Sequence, residues 1–218
     1  FYPTGGTSEI QRLQMATQEG GNVAVYAVRG NFDDAQTGVK KVFGDKAIAA
    51  RLAERNIRLS SANSINWGRL VPQIVYYFAA YAQLLQAGKI VYGDQVDFCV
   101  PTGNFGDILA GYYAKQMGLP VGKLICASNE NNVLTDFLTT GTYTAKREFF
   151  KTTSPSMDIL VSSNLERLLY HVTGSDAEVA ALMKSLNETG SYTVRPETLK
   201  TIQESFGCGW SSEEQVAG

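Results

Sequence analysis

The apolar positions of this chain follow two spacings. Three short stretches are apolar almost without a break: Val23-Ala24-Val25-Tyr26-Ala27-Val28, Val96-Asp97-Phe98-Cys99-Val100, and residues 123–127. Short runs of this kind, bounded by turn-forming residues, predict buried strands. Elsewhere apolar residues recur every three or four positions, the spacing of one helix face. Ile65, Leu70, Ile74, Phe78, Tyr81 and Leu85 predict a long helix that Gly88 ends. Ile108, Leu109, Tyr112, Tyr113 and Met117 predict another, stopped by Gly118-Leu119-Pro120. Further helices are expected over residues 132–138, 164–172 and 176–186, and from Pro196 until Gly207 ends the last one.

The first residues show the same punctuation. Ser8-Glu9-Ile10-Gln11 is a capping box, and Asn31, with Asp33 and Asp34 behind it, caps a second helix. Residues 45–55 are expected to be helical. Strands alternating with helices predict an α/β fold with a mostly parallel sheet flanked by helices. The rhythm breaks and charge rises over residues 44–60. This suggests two parts, residues 1–45 and residues 46–218.

Composition narrows the function classes. Hydrophobic residues make up 44% and charged residues 18% of the 218 residues, enough apolar material for a core. The formal net charge is −2 and the basic residues are scattered, so no nucleic-acid partner is expected. No apolar run reaches the ~18–20 residues of a membrane span; the stretch 70–85 is interrupted by Pro72, Gln73 and Gln83. Cys99, Cys126 and Cys208 have no paired spacing and fit a reducing, cytoplasmic setting. Cys99 and Cys126 lie in strand-like runs and read as small buried hydrophobes. His171 is the single histidine, in a helical stretch after Leu168 and Leu169; it reads as structural, which argues against a His-based triad and a multi-histidine metal site.

The chemistry gathers between strand 96–100 and the helix that follows. Gly103-Asn104-Phe105-Gly106-Asp107 makes a tight turn from strand to helix. Such a turn points backbone N–H groups outward at a helix N-terminus, where they can bind phosphate. Side chains at Gly103 and Gly106 would hold the backbone away from the anion. The pattern is neither a P-loop nor a G-x-G-x-x-G turn, and by itself it also suits a plain connector. A second group is Asn63, Ser64, Asn66 and Arg69. Asn63 or Ser64 would cap the long helix, and Asn66 and Arg69 lie one turn apart. An arginine fork with amides suits a substrate phosphate or carboxylate, and an inter-domain salt bridge suits Arg69 as well. Asn129, Glu130, Asn131 and Asn132 read as loop and cap residues, and residues 154–158 as a structured loop.

The string Pro101-Thr102-Gly103-Asn104-Phe105-Gly106-Asp107 resembles the phosphate loop of threonine synthases. These are pyridoxal-phosphate (PLP) lyases of the tryptophan-synthase-β fold, fold type II. Tyr2-Pro3-Thr4-Gly5-Gly6-Thr7-Ser8-Glu9-Ile10-Gln11, Gly30-Asn31-Phe32-Asp33-Asp34-Ala35-Gln36 and Ser61-Ala62-Asn63-Ser64-Ile65-Asn66-Trp67-Gly68-Arg69 are also similar to that family. So is Ser154-Pro155-Ser156-Met157-Asp158-Ile159-Leu160-Val161-Ser162-Ser163-Asn164-Leu165-Glu166-Arg167. Residues 186–218 carry no distinctive motif. The resemblance implies threonine biosynthesis from O-phosphohomoserine and water, with release of phosphate. It assigns the PLP phosphate to the backbone of Gly103, Asn104, Phe105, Gly106 and Asp107.

The family's other strings are missing. Neither the Phe-Lys-Asp segment with the PLP lysine nor the Ser-Gly-Asp-Thr-Gly loop occurs, and Thr-Ala-His-Pro is also absent. The chain opens at Phe1-Tyr2-Pro3-Thr4 and closes at Gln215-Val216-Ala217-Gly218. It is expected to be an internal fragment, truncated at both ends and inactive alone, whose exposed edges favour self-association. The remaining alternatives are a stand-alone phosphate- or nucleotide-binding α/β module, or a relative of threonine dehydratase or cysteine synthase. The asparagine and phenylalanine between the loop glycines argue against the last two.

Overall fold

A computed structural model of the chain describes all residues except Gly6, Ser8, Asn31, Ser61, Ala62 and Gly218. The chain divides into two compact units, Phe1–Ser61 and Ala62–Gly218. The division falls later than the 45/46 boundary suggested by charge and rhythm, so the helix after residue 45 stands in the first unit.

The first unit holds strands β1 (Tyr2–Pro3) and β2 (Ala27–Val28) and helices α1 (Glu9–Ala16), α2 (Phe32–Gly44) and α3 (Lys46–Ala53). The two strands pair in parallel, Tyr2 beside Ala27 and Pro3 beside Val28. The strand expected over residues 23–28 is therefore only two residues long. A strand lasts only as far as its partner does, and Val23 and Tyr26 lie exposed. Asp45 caps α3 by accepting from the N–H groups of Ala47 and Ile48 at 2.8 and 3.0 Å. The capping box at Ser8 and the Asn31 cap lie outside the described residues.

The second unit is built on a parallel sheet in the order β3 (Val96–Pro101), β4 (Val121–Ser128), β7 (Phe206–Trp210). Helix α4 (Trp67–Gln86) packs on α5 (Gly106–Gln116), which connects β3 to β4. α6 (Val133–Thr140) and α9 (Pro196–Ser205) pack against the sheet. β5 (Thr142–Thr144) and β6 (Ser191–Thr193) form a small antiparallel pair. α7 (Leu165–Thr173), α8 (Asp176–Thr189) and a short α10 (Glu213–Ala217) complete the unit. Leu70, Ile108, Leu109, Leu124, Phe137, Leu168 and Ile202 are among the fully buried core residues.

Three expectations need correction here. The last helix does not run to Gly207: it ends at Ser205, and Phe206-Gly207-Cys208-Gly209-Trp210 is the third sheet strand. A Cβ at Gly207 would sit 2.9 Å from Ile125 Cδ1, so a larger residue here would make the end of that side chain shift. The buried face of α4 is Leu70, Tyr77 and Tyr81, whereas Ile65 precedes the helix and Phe78 is exposed. The tyrosines can be buried because their hydroxyls are bonded. Tyr77 donates to the Asp107 carbonyl at 2.9 Å and Tyr81 to the Asp94 carbonyl at 3.0 Å. Cys126 is buried as expected, but Cys99 is exposed on the edge strand β3. Among the described residues no helix is long and apolar enough to cross a membrane.

Candidate anion-binding site

β3 ends where the Thr102 N–H donates to the Ala127 carbonyl at 2.8 Å. The chain then turns through residues 103–105 into α5. The residue at the helix cap is Phe105, in the left-handed conformation (φ 60°, ψ 10°) and with no side-chain cap bond. That conformation is unusual for a bulky residue and costs of order 1–3 kcal/mol. Burial of the ring offsets it: Phe105 is 1% exposed and packs against Phe206 with ring centres 5.5 Å apart. A serine or aspartate at this position would cap the first turn with its own oxygen. Phenylalanine cannot. Among the described residues, the N–H groups of Gly103, Asn104, Phe105, Gly106, Asp107 and Ile108 find no protein acceptor. Six consecutive donors without an acceptor at the start of a helix can bind an anion.

The glycines admit close neighbours. A Cβ at Gly103 would lie 2.6 Å from the Ser156 carbonyl oxygen, and one at Gly106 2.7 Å from Ser64 Cβ. Neither glycine has positive φ; that conformation belongs to Phe105. The close approach bounds an open cavity of about 190 Å³, lined by residues 101–108 with Ser64, Arg69, Gln73 and Ser156. Arg69 and Gln73 are one helical turn apart on α4. The buried Oε1 of Gln73 has no hydrogen-bond partner among the described residues. Burial raises the Asp107 carboxyl above its ordinary range, while the Tyr77 hydroxyl, 3.4 Å away, opposes this.

The fold thus brings the loop residues 103–107 together with Ser64 and Arg69 in one cavity. Asn63 and Asn66 do not line it. The cap of α4 is Asn66 and not Asn63 or Ser64: its Oδ1 accepts from Gly68 N–H at 2.9 Å. Asn63 Oδ1 instead accepts from Ile65 N–H at 3.0 Å, a turn one step before the helix. The helix starts later than its apolar stripe suggested, and the cap moves with it.

Other contributors either drew no assignment in the sequence, as Ser162 did, or were read only as loop residues, as Asn129, Asn131 and Asp158 were. Ser162 Oγ donates to the Gly103 carbonyl at 3.0 Å. Asn164, fully buried, donates from its backbone N–H and from Nδ2 to the Asn104 carbonyl, at 3.1 and 2.9 Å. Asn164, expected as the first residue of the helix over 164–172, instead stands just before α7 and makes no side-chain cap bond. Asp158 accepts from Asn129 Nδ2 at 2.7 Å, Asn131 Nδ2 at 3.0 Å and Thr152 N–H at 2.9 Å, tying the loop that carries Ser156 to the end of β4. Gln73 carried no signal beyond its register with Arg69.

A parallel α/β unit whose strand-to-helix turn bares a row of backbone donors in a cavity that Arg69 also lines has the geometry that suits an anion. No family model matches the sequence. Curated relatives do. Human threonine synthase-like 1 is 44% identical over 216 residues, which are 98% of this chain and 29% of that protein. Threonine synthase of Pseudomonas aeruginosa is 42% identical over 217 residues, 99% of this chain and 44% of that one. Solved structures agree. PLP-bound threonine synthase from Brucella melitensis matches with a TM-score of 0.82 and 44% identity, covering 96% of this chain and 43% of that one. The yeast threonine synthase matches with a TM-score of 0.84 and 39% identity, covering 99% and 42%. The chain is a homologue of the threonine synthases over nearly its whole length, and it spans under half the length of these relatives.

Proposed function

We propose that this chain forms the cofactor-phosphate side of a threonine synthase, a PLP-dependent lyase that converts O-phosphohomoserine and water to threonine and phosphate. The observation that carries this is the row of six unpartnered N–H groups at residues 103–108, in a cavity that also holds Arg69. The cradle fits the phosphate of PLP. Its donors are backbone groups at a helix N-terminus, where the helix dipole favours an anion, and any Cβ at 103 or 106 would collide with its walls. When bound, PLP supplies an electron sink for proton loss from the amino-acid substrate. Ser64 and Arg69 border the same cavity and suit the substrate's own phosphate or carboxylate; Asn63 and Asn66 shape the start of the helix that carries Arg69.

The lysine-bearing Phe-Lys-Asp string does not occur in the 218 residues, so we expect no turnover from this chain alone. Its free cysteines suit a reducing compartment, and we favour the cytosol. The open sheet edges at β3 and β7, with exposed Val71, Val75 and Tyr76 on α4, favour self-association. The test is titration of this chain with PLP, followed by borohydride reduction and peptide mapping. Saturable, reversible binding that inorganic phosphate competes away is expected, with no lysine labelled stoichiometrically. Absence of any binding would overturn the cradle, and one lysine labelled in full would overturn the missing anchor.

A further inference from the structure

We propose that Ser162 and Asn164 are positioning residues that aim the anion loop's donors into the cavity, an inference resting on the phosphate role proposed above. In a trans peptide the N–H points opposite to the carbonyl of the preceding residue, because the unit is planar. Fixing the Gly103 carbonyl therefore fixes the Asn104 N–H, and fixing the Asn104 carbonyl fixes the Phe105 N–H. Ser162 Oγ holds the first carbonyl at 3.0 Å. Asn164 holds the second twice, from its backbone N–H at 3.1 Å and from Nδ2 at 2.9 Å. With both carbonyls drawn towards residues 162–164, the two N–H groups are turned the other way. They have no acceptors among the described residues.

Asn164 is itself held. Its Oδ1 accepts from Arg167 Nη1 at 2.7 Å, and Arg167 Nη2 reaches the Ile65 carbonyl at 2.5 Å. Its Nδ2 also donates to Ser64 Oγ at 3.1 Å. Ser162 is anchored through its backbone N–H, which donates to the Tyr143 hydroxyl at 2.9 Å. These bonds tie the loop to the segment that leads into α4, so the cradle and the wall bearing Ser64 and Arg69 share one buried brace. Donors held in place before the ligand arrives cost less to organise on binding. The left-handed Phe105 follows the braced peptide, and the brace helps to keep it in that conformation.

Two variants of this chain separate positioning from general stability. Asn164→Asp keeps the shape and the acceptor for Arg167 but sets an oxygen against the Asn104 carbonyl. Ser162→Ala removes one donor without adding charge. Each ¹⁵N-labelled chain is titrated with inorganic phosphate, with the backbone amides followed by NMR. Phosphate affinity should fall roughly tenfold in each variant, the usual scale for a lost buried hydrogen bond. Before any phosphate is added, the Asn104 amide should shift in Ser162→Ala and the Phe105 amide in Asn164→Asp. A merely structural role would lower stability without this pairing of variant and amide. Unchanged affinity and unmoved loop amides in Ser162→Ala would overturn the proposal, even if Asn164→Asp does not fold. If the unmodified chain binds and the variants bind equally well, only the brace fails; if the unmodified chain shows no phosphate shifts at residues 103–108, the anion site and the brace fall together.

Discussion

Gly106→Ala tests the cradle with a single added carbon. That carbon would lie 2.7 Å from Ser64 Cβ and 3.0 Å from Ser64 Oγ. Carbon atoms in contact settle at roughly 3.5–4.0 Å, so one wall must retreat by about 1 Å. Two effects oppose each other in stability. Alanine is a better helix residue than glycine by about 1 kcal/mol, whereas overpacking costs about 1–3 kcal/mol. The net loss is then about 0–2 kcal/mol, and the fold survives. Binding has no such compensation. The displacement falls on the first residue of α5, between the N–H groups of Phe105 and Asp107. Losing one well-aimed bond to a charged group costs about 1.5–3 kcal/mol, or roughly tenfold to a hundredfold in phosphate affinity. Calorimetric titration with phosphate or PLP, beside urea unfolding, reads both quantities. In a Ser64→Gly background the obstructing side chain is gone, and the effect of Gly106→Ala should shrink sharply. Full phosphate affinity in Gly106→Ala, or the same loss in both backgrounds, would refute the steric argument.

Arg69→Ala, made in a longer threonine synthase that contains this segment, should reduce kcat/KM for O-phosphohomoserine roughly tenfold to a hundredfold while PLP content stays near normal; unchanged kinetics would assign Arg69 to structure alone. Thiol labelling followed by mass spectrometry should modify exposed Cys99 first and leave Cys126 unmodified until denaturant is added, since burial pushes the Cys126 thiol up to about 12. Burial likewise raises Tyr143 from an ordinary 10.0 to about 12. Above the ordinary thiol and phenol range the unfolded chain holds fewer protons than the fold, so stability should decline as pH rises from about 9 to about 12, and Cys126→Ala should flatten that decline. Urea midpoints measured across that interval check the sign.

Local chemistry made much of this fold legible in the sequence. The apolar run at 96–100, the glycine turn and the helical stripe beyond it were enough to place β3, the loop and α5. These elements depend on neighbours a few residues apart, and so does the donor-rich start of a helix that its own cap residue cannot satisfy. What lay out of reach depends on partners distant in sequence. Phe206-Gly207-Cys208-Gly209-Trp210 has a weak strand pattern and becomes a strand because β4 offers it an edge to pair with in parallel. Val23 and Tyr26 have strand-forming character, but the ladder to β1 reaches back only to the Tyr26 carbonyl, which accepts from Tyr2 N–H at 3.1 Å, and both side chains stay exposed. Tyr77 replaces Phe78 on the buried face of α4 because a carbonyl some thirty residues away accepts its hydroxyl. The site divides in the same way. The backbone donors of residues 103–107 follow from local sequence, whereas the brace from Ser162 and Asn164 crosses roughly sixty residues of chain. Periodicity and capping are short-range and can be read along the chain; the packing that bounds the cavity and turns two peptide planes exists only once the chain has folded.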